Sequence, residues 1–245
     1  MKSILFLLSF FFTLSACQLS NSNATGEDNK ELAAMLDTYY EERLKLFPLE
    51  STMNGDERYN DQMFIDFTDS HRLKLKSFYK EYLTYLTKFD RDVLSEKDQL
   101  SYDVFKREME INIEALGFKD NFIPLNQFSS THLLFMQMGS GAAFQPFKTV
   151  KDYDNWLNRA SVFPAYTDSA IVYFKKGMEA GYVLPKVLVE KMIPQFRSIV
   201  TDAPAANLFY GPINLLPASF DIVDKKRIAT AYNELISEKL IPAFR

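Results

Sequence analysis

Cys17 is the only cysteine in the chain, and it stands where one specific chemistry needs it. The stretch Leu14-Ser15-Ala16-Cys17 reads as Leu, two small residues, then Cys, the pattern of the bacterial lipoprotein signal. Ahead of it, Lys2 gives a short positive start, and Ile4 to Phe12 (ILFLLSFFF) forms an apolar run of signal-peptide length. That run is shorter than the ~20 apolar residues a membrane-spanning helix needs. The expected chemistry is transfer of a diacylglyceryl group to the Cys17 thiol, cleavage before Cys17, and acylation of the new amine. Acyl chains such as palmitate, about three in all, hold a protein stably at a membrane, whereas one holds it only reversibly. The thiol is consumed, so no disulfide or thiolate nucleophile is left. Gln18 rather than Asp follows the cysteine. An enterobacterial-type sorting rule would then direct the protein to the outer membrane, facing the periplasm or the cell surface.

The remaining candidates for chemistry are weaker. A catalytic zinc takes about three protein ligands, commonly histidines at helical spacing with a glutamate nearby. The chain has two histidines, His71 and His132, far apart and each without an adjacent Glu, so both are expected to be structural. Ser77-Phe78-Tyr79-Lys80 fits the Ser-x-x-Lys pattern of penicillin-recognising enzymes, but the companion motifs are absent. Phe78 and Tyr79 fall on the apolar face of a regular helix, which makes the match chance. Gly139-Ser140-Gly141 lacks the spacing of a nucleophile elbow, follows no strand, and reads as a loop. Acidic pairs occur at Asp56-Glu57, at Glu108 with Glu110, and at Asp61 with Asp66. Two carboxylates do acid–base work only in a cleft that separates their pKa values. In a chain that is 24% charged, these pairs read as solvated surface. No catalytic or metal-binding residue is assigned.

The elements that would carry any site are helical. Residues 1–16 form the signal peptide, and 17–29 the lipidated Cys with a flexible tether, whose reach is roughly 20 Å. The folded part, 30–245, belongs to a chain with 47% hydrophobic and 15% aromatic content, enough for a substantial core. Asp28 with Glu31 has capping-box spacing. Leu32, Met35, Leu36, Tyr39, Tyr40, Leu44 and Phe47 then repeat at the three-and-four spacing of one helix face, stopped by Pro48. A second helix is predicted from about Asp69 to Phe89. Ser95 with Asp98 caps a third, carrying Leu100, Val104, Met109, Ile113 and Leu116. A long connection with a short helix inside it spans Asn121 to Phe147. Thr149 with Asp152 starts another helix, Pro164 interrupts it, and a continuation ends near Gly181. Pro185 suits the first turn of the next helix, which Pro194 should kink. A last amphipathic helix begins near Asp224. No run alternates like a strand, so the fold class is all-α, an irregular helical bundle. Removing Lys2 leaves fewer than 28 basic residues against 32 acidic ones. A mildly acidic surface without a basic block argues against a nucleic-acid partner. The 22 Phe and 13 Tyr read as core.

Several stretches, taken in order, resemble a known family. Asp56-Glu57-Arg58-Tyr59-Asn60-Asp61 follows the first helix, and Asp98-Gln99-Leu100-Ser101-Tyr102-Asp103 opens the third. Gly181-Tyr182-Val183-Leu184-Pro185-Lys186-Val187 and Ile228 to Phe244 come later. From about Leu32 onward the chain is similar to the N-terminal part of the bacterial domain of unknown function 885 family. That resemblance implies an all-helical envelope protein about twice this length, similar to zinc metallopeptidases of the carboxypeptidase and oligopeptidase kind. There a histidine-glutamate stretch, a further histidine and a downstream glutamate hold the metal, all in the C-terminal half. No position here matches them, so zinc is expected only if a C-terminal half exists.

Two expectations of different class follow. One is a metallopeptidase-like lipoprotein fragment, inactive alone, whose partners are the membrane through Cys17, a peptide substrate and the missing half. The other is a complete, non-enzymatic helical lipoprotein that binds a peptide or protein. The apolar tail Ile241-Pro242-Ala243-Phe244 either docks on its own domain or forms a joint to something further, and the residues alone leave both open. A half-domain would expose a large apolar surface around Tyr232, Leu235, Ile236 and Phe244.

Overall fold

Asn29 opens the first helix of the computed structural model, which describes residues 28–128 and 130–245. Cys17, the signal segment and the tether as far as residue 27 lie outside the described residues. The Asn29 side-chain oxygen accepts from the backbone N–H groups of Glu31 and Leu32, at 3.0 and 2.9 Å. Asp28, expected as the cap, instead pairs with Lys97. A cap must sit one residue before the first helical position, and Asn29 holds that place.

Helix α1 (Lys30–Leu46) is followed directly by α2 (Pro48–Met53). Pro48 therefore does more than stop α1. Its fixed φ and missing N–H suit the first turn, and it heads a helix of its own. Helices α3 (Asp69–Leu86) and α4 (Glu96–Ala115) start on the hydroxyl caps Thr68 and Ser95. With α1 they enclose one core. The buried Tyr39 ring stacks on Phe78 at 5.4 Å and meets Tyr82 and Phe105 edge-on at 5.1 and 4.8 Å. Tyr40, expected on the same face, is exposed. Leu100 and Val104 are also solvent-facing, at 66% and 58% exposure, against the expectation for α4. Met109 is buried as expected, and beside it the buried stripe of α4 takes Phe105, one position past Val104. One position is about 100° around a helix. The contact of Phe105 with Tyr39 selects this stripe over its apolar neighbour.

A second, larger core gathers α5 (Thr131–Gly139), α6 (Val150–Ala160), α7 (Phe163–Ala180) and α8 (Lys186–Arg197). It is completed by α9 (Gly211–Asn214), α10 (Ile222–Glu234), a π-helical segment (Leu235–Leu240) and α11 (Ile241–Phe244). Thr149 and Asp152 form the expected capping box on α6. Pro164 lies in the first turn of α7, and Pro194 lies inside α8. α10 starts on an Asp221 cap, two residues before the expected point. The centre of this core is aromatic. Phe135 stacks on Phe163 at 4.1 Å and lies 4.8 Å from Trp156. Burying each such ring stabilises the fold by about 1.5–3 kcal/mol.

Gly139 corrects the loop expected at 139–141. It is the last residue of α5 and is buried, and a Cβ there would fall 2.3 Å from Trp156 Cζ2 and 2.5 Å from Phe209 Cδ1. Only a residue without a side chain lets α5 come this close. The chain's end also departs from the half-domain expectation. Tyr232, Leu235, Ile236 and Phe244 are 0%, 6%, 0% and 4% exposed. The tail folds back on α7, where the Phe244 ring stacks 4.8 Å from Phe163.

Polar contacts join the two cores. The Asp69 backbone N–H donates to the Tyr173 hydroxyl, Lys176 pairs with the Asp69 carboxylate at 2.9 Å, and Asn121 Nδ2 donates to Phe67 O at 3.2 Å. Every element among the described residues is helical, with no strand, and none of those helices is long and apolar enough to cross a membrane.

Candidate functional site

Helices α7 and α8 form a hairpin whose turn is set by two glycines. Gly181 ends α7 at φ 78°, a left-handed conformation that residues with a Cβ rarely adopt. At Gly177 a Cβ would fall 2.6 Å from Phe122 O and 2.7 Å from Tyr182 O, so the returning chain lies against bare backbone. The hairpin leaves a groove of about 620 Å³, with Phe174 and Met178 from α7, Met192 and Ile193 from α8, and Phe244 and Arg245 from the chain's last turn. It is largely apolar. Thr167, one of its few polar side chains, already donates to Pro164 O at 2.8 Å.

His132 lies behind the groove wall and does not open into it. It is 0% exposed and stacks on Phe196, a groove residue, at 4.8 Å between ring centres. Its Nδ1 shares a hydrogen bond of 2.6 Å with Ser130 Oγ, and burial pushes its pKa down to about 4. The ring is therefore neutral at neutral pH. Its Nε2 is buried without a hydrogen-bond partner. His71 is elsewhere, half-buried on α3 beside the Phe64 ring at 5.6 Å, with its pKa lowered by burial and by Lys74. Among the described residues no group of three or more His, Cys, Asp or Glu side chains converges to hold a metal. The donor set that a catalytic zinc takes does not fit these residues.

The acidic pairs are not gathered either. Asp56 caps the turn at 57–59 and pairs with Arg58 at 2.6 Å, whereas Glu57 is exposed. Glu108 accepts from the Tyr39 hydroxyl at 2.9 Å, so it belongs to the α1–α4 contact. Burial first, then this carboxylate, raises the Tyr39 pKa. Asp61 is half-buried and Asp66 exposed. Ser77 and Lys80 are both exposed, on the outside of α3. None of these residues lines the groove.

Arg159 is the polar feature that the sequence reading missed. It is 0% exposed, and its guanidinium donates to five oxygens: Gln62 O, Gln145 Oε1, Pro48 O, Thr52 Oγ1 and Tyr59 O, at 2.6–3.3 Å. All five are uncharged. Burial lowers its pKa to about 10 and Asp61 opposes that shift, so it stays protonated at neutral pH. This one side chain ties α6 to α2, to the turn after it, and to the segment before α6. The role is structural. The tied segments border a second, more polar cavity of about 480 Å³, with Thr52, Asn60 and Gln145 in its wall.

The chain matches, over residues 48–245, the family described as "Bacterial protein of unknown function (DUF885)". It belongs to that family. The fold is similar to a crystal structure of a protein from Colwellia psychrerythraea described as a "putative lipoprotein", with a TM-score of 0.71 at 14% sequence identity. The similarity covers 87% of this chain and 39% of that one, so this chain spans well under half of its structural relative's length. No curated protein matches the chain.

Proposed function

We propose that this DUF885 chain is the lipid-anchored helical part of a larger envelope protein resembling zinc metallopeptidases. In that protein it forms one wall of a peptide-hydrolysing cleft and is inactive by itself. The observation that carries this reading is the uneven coverage, 87% of this chain against 39% of its structural relative. Among the described residues no group of three or more His, Cys, Asp or Glu side chains converges, so in this reading the metal-binding side chains come from the remaining polypeptide. The anchor is the lipid on Cys17, and the description of the Colwellia relative agrees with the Leu14-Ser15-Ala16-Cys17 signal. A second reading, a complete non-enzymatic lipoprotein that binds a peptide or protein partner, is favoured by the open apolar groove of about 620 Å³.

The size and zinc content of the native protein, recovered from membranes with an antibody to this chain, separate the two. A species about twice 28.4 kDa with about one zinc is the expected result. A metal-free species near 28.4 kDa overturns the proposal in favour of the stand-alone binding protein.

A further inference from the structure

Exposed apolar side chains are unevenly placed on this molecule. Of the 23 large apolar residues that are exposed among the described ones, eight fall between positions 171 and 193, on α7, α8 and their link. Met178 is 62% exposed, Val183 60% and Ile193 44%. Side chains of this kind scattered singly are ordinary, but a contiguous set beside a groove marks an interaction surface. The region expected from sequence to be such a surface, around Tyr232 and Ile236, is closed in the core.

The chain's last residues form part of the groove. Ala243, Phe244 and Arg245 line it, and Phe244 is held there by its stack on Phe163 and a tilted ring contact with Phe196. Polypeptide continuing past Arg245 would leave from the groove's own wall, so its first segment reaches the groove without a long connection. A short connection favours packing against the adjacent element. More than half of the structural relative's length lies outside the part matched here. The floor of the groove is apolar, its Thr167 hydroxyl is already committed to Pro164 O, and Tyr182, Arg197 and Arg245 are its other polar side chains. What it offers is apolar area, which a helix presenting an apolar stripe would cover.

Resting on the proposal that this chain is part of a larger protein, we infer that the α7–α8 groove is the seat of the polypeptide continuing past Arg245. The occupant packs an apolar helix face against Met178, Val183 and Ile193. This surface is the joint of the larger fold, so peptide substrate meets the chain elsewhere.

The absence of a free thiol in the lipidated chain allows a direct test. Ile193→Cys on the groove and Lys106→Cys on the exposed side of α4 each introduce one reporter thiol, the first a groove reporter and the second a surface reporter. Both sites are exposed here, so neither change disturbs a core. Reactivity towards a bulky maleimide is measured in the native protein from membranes and in the chain ending at Arg245. The expected result is a native species of about twice 28.4 kDa in which the surface reporter reacts and the groove reporter is protected, with both reactive in the shorter chain. A large native species whose groove reporter is as reactive as its surface reporter overturns the groove assignment and leaves the larger-protein proposal standing. A native species near 28.4 kDa overturns both. Protection of the groove reporter in the shorter chain also overturns the assignment, because a second copy or a bound ligand then covers the groove.

Discussion

Arg159 Nη2 donates to the backbone oxygen of Tyr59 at 2.6 Å, across 100 positions of sequence. The bond joins the Asp56–Asp61 stretch, one of those that resemble the family, to the helix carrying Trp156. That stretch is held from behind by a buried cation. Of its acidic residues only Glu57 is fully exposed, and the stretch is tied to a residue far along the chain.

Replacing Arg159 by Met keeps much of the volume and removes all five donated bonds. Buried oxygens left without a donor cost roughly 1–3 kcal/mol each, with partial relief as water enters. Arg159→Met should therefore lower stability by at least about 3 kcal/mol, read as a shift in the urea midpoint. Arg159→Lys keeps the charge but cannot reach five separate oxygens and should recover only part of that loss. A midpoint unchanged in Arg159→Met would mean that the network carries no net stability.

His132 makes stability depend on pH in a defined window. An unfolded histidine titrates near 6.5, and folded His132 at about 4. Between those values the unfolded chain binds a proton that the folded chain does not, so stability falls as pH drops from 6.5 towards 4. The loss from this group reaches about 3 kcal/mol at the lower end and grows no further below it. His132→Leu should remove that share of the slope when urea midpoints at pH 7 and pH 4.5 are compared. Equal losses in variant and parent would assign the acid sensitivity to other groups.

How much of this was legible in the sequence depends on what each residue had to report. The all-α class and the caps Ser95 and Thr149 were readable, because periodicity and capping are local and need no knowledge of partners. Local signals failed where two answers were locally equivalent. Leu100 and Val104 are as apolar as Phe105, and only Tyr39, on another helix, decides that Phe105 is the one buried beside the expected Met109. Arg159 reads as a surface cation until its place is noticed, three residues after Trp156 and next to Ala160, both of them 0% exposed. That spacing was the one signal that could have found it. The tail was ambiguous for the same reason. Whether Phe244 faces Phe163 or a missing partner is a tertiary fact.

Gly139 tests the close approach of α5 to the aromatic core. Gly139→Ala places a methyl group where Trp156 and Phe209 already lie at 2.3 and 2.5 Å, and neither ring can swing aside inside a filled core. Overpacking of this kind costs about 1–3 kcal/mol. It outweighs the gain of up to about 1 kcal/mol that alanine brings to a helix. Thermal unfolding should show a lower Tm for Gly139→Ala, and a higher one would mean that this contact is looser than described.

Ile236 and Ile193 have the same side chain in opposite surroundings, and the pair separates core from docking surface. Ile236 is 0% exposed and sits in the core at the chain's end, so Ile236→Ala should cost about 2–5 kcal/mol. Ile193 is 44% exposed on the groove, so Ile193→Ala should change stability by no more than about 0.5 kcal/mol. Binding of a hydrophobic dye to the folded chain should run the other way. Ile193→Ala lowers it by shrinking the apolar groove, and Ile236→Ala leaves it unchanged as long as the chain stays folded. If the two substitutions destabilise equally, the chain's end is as open as a bare half-domain would make it. The apolar joint would then lie along α10 rather than between α7 and α8.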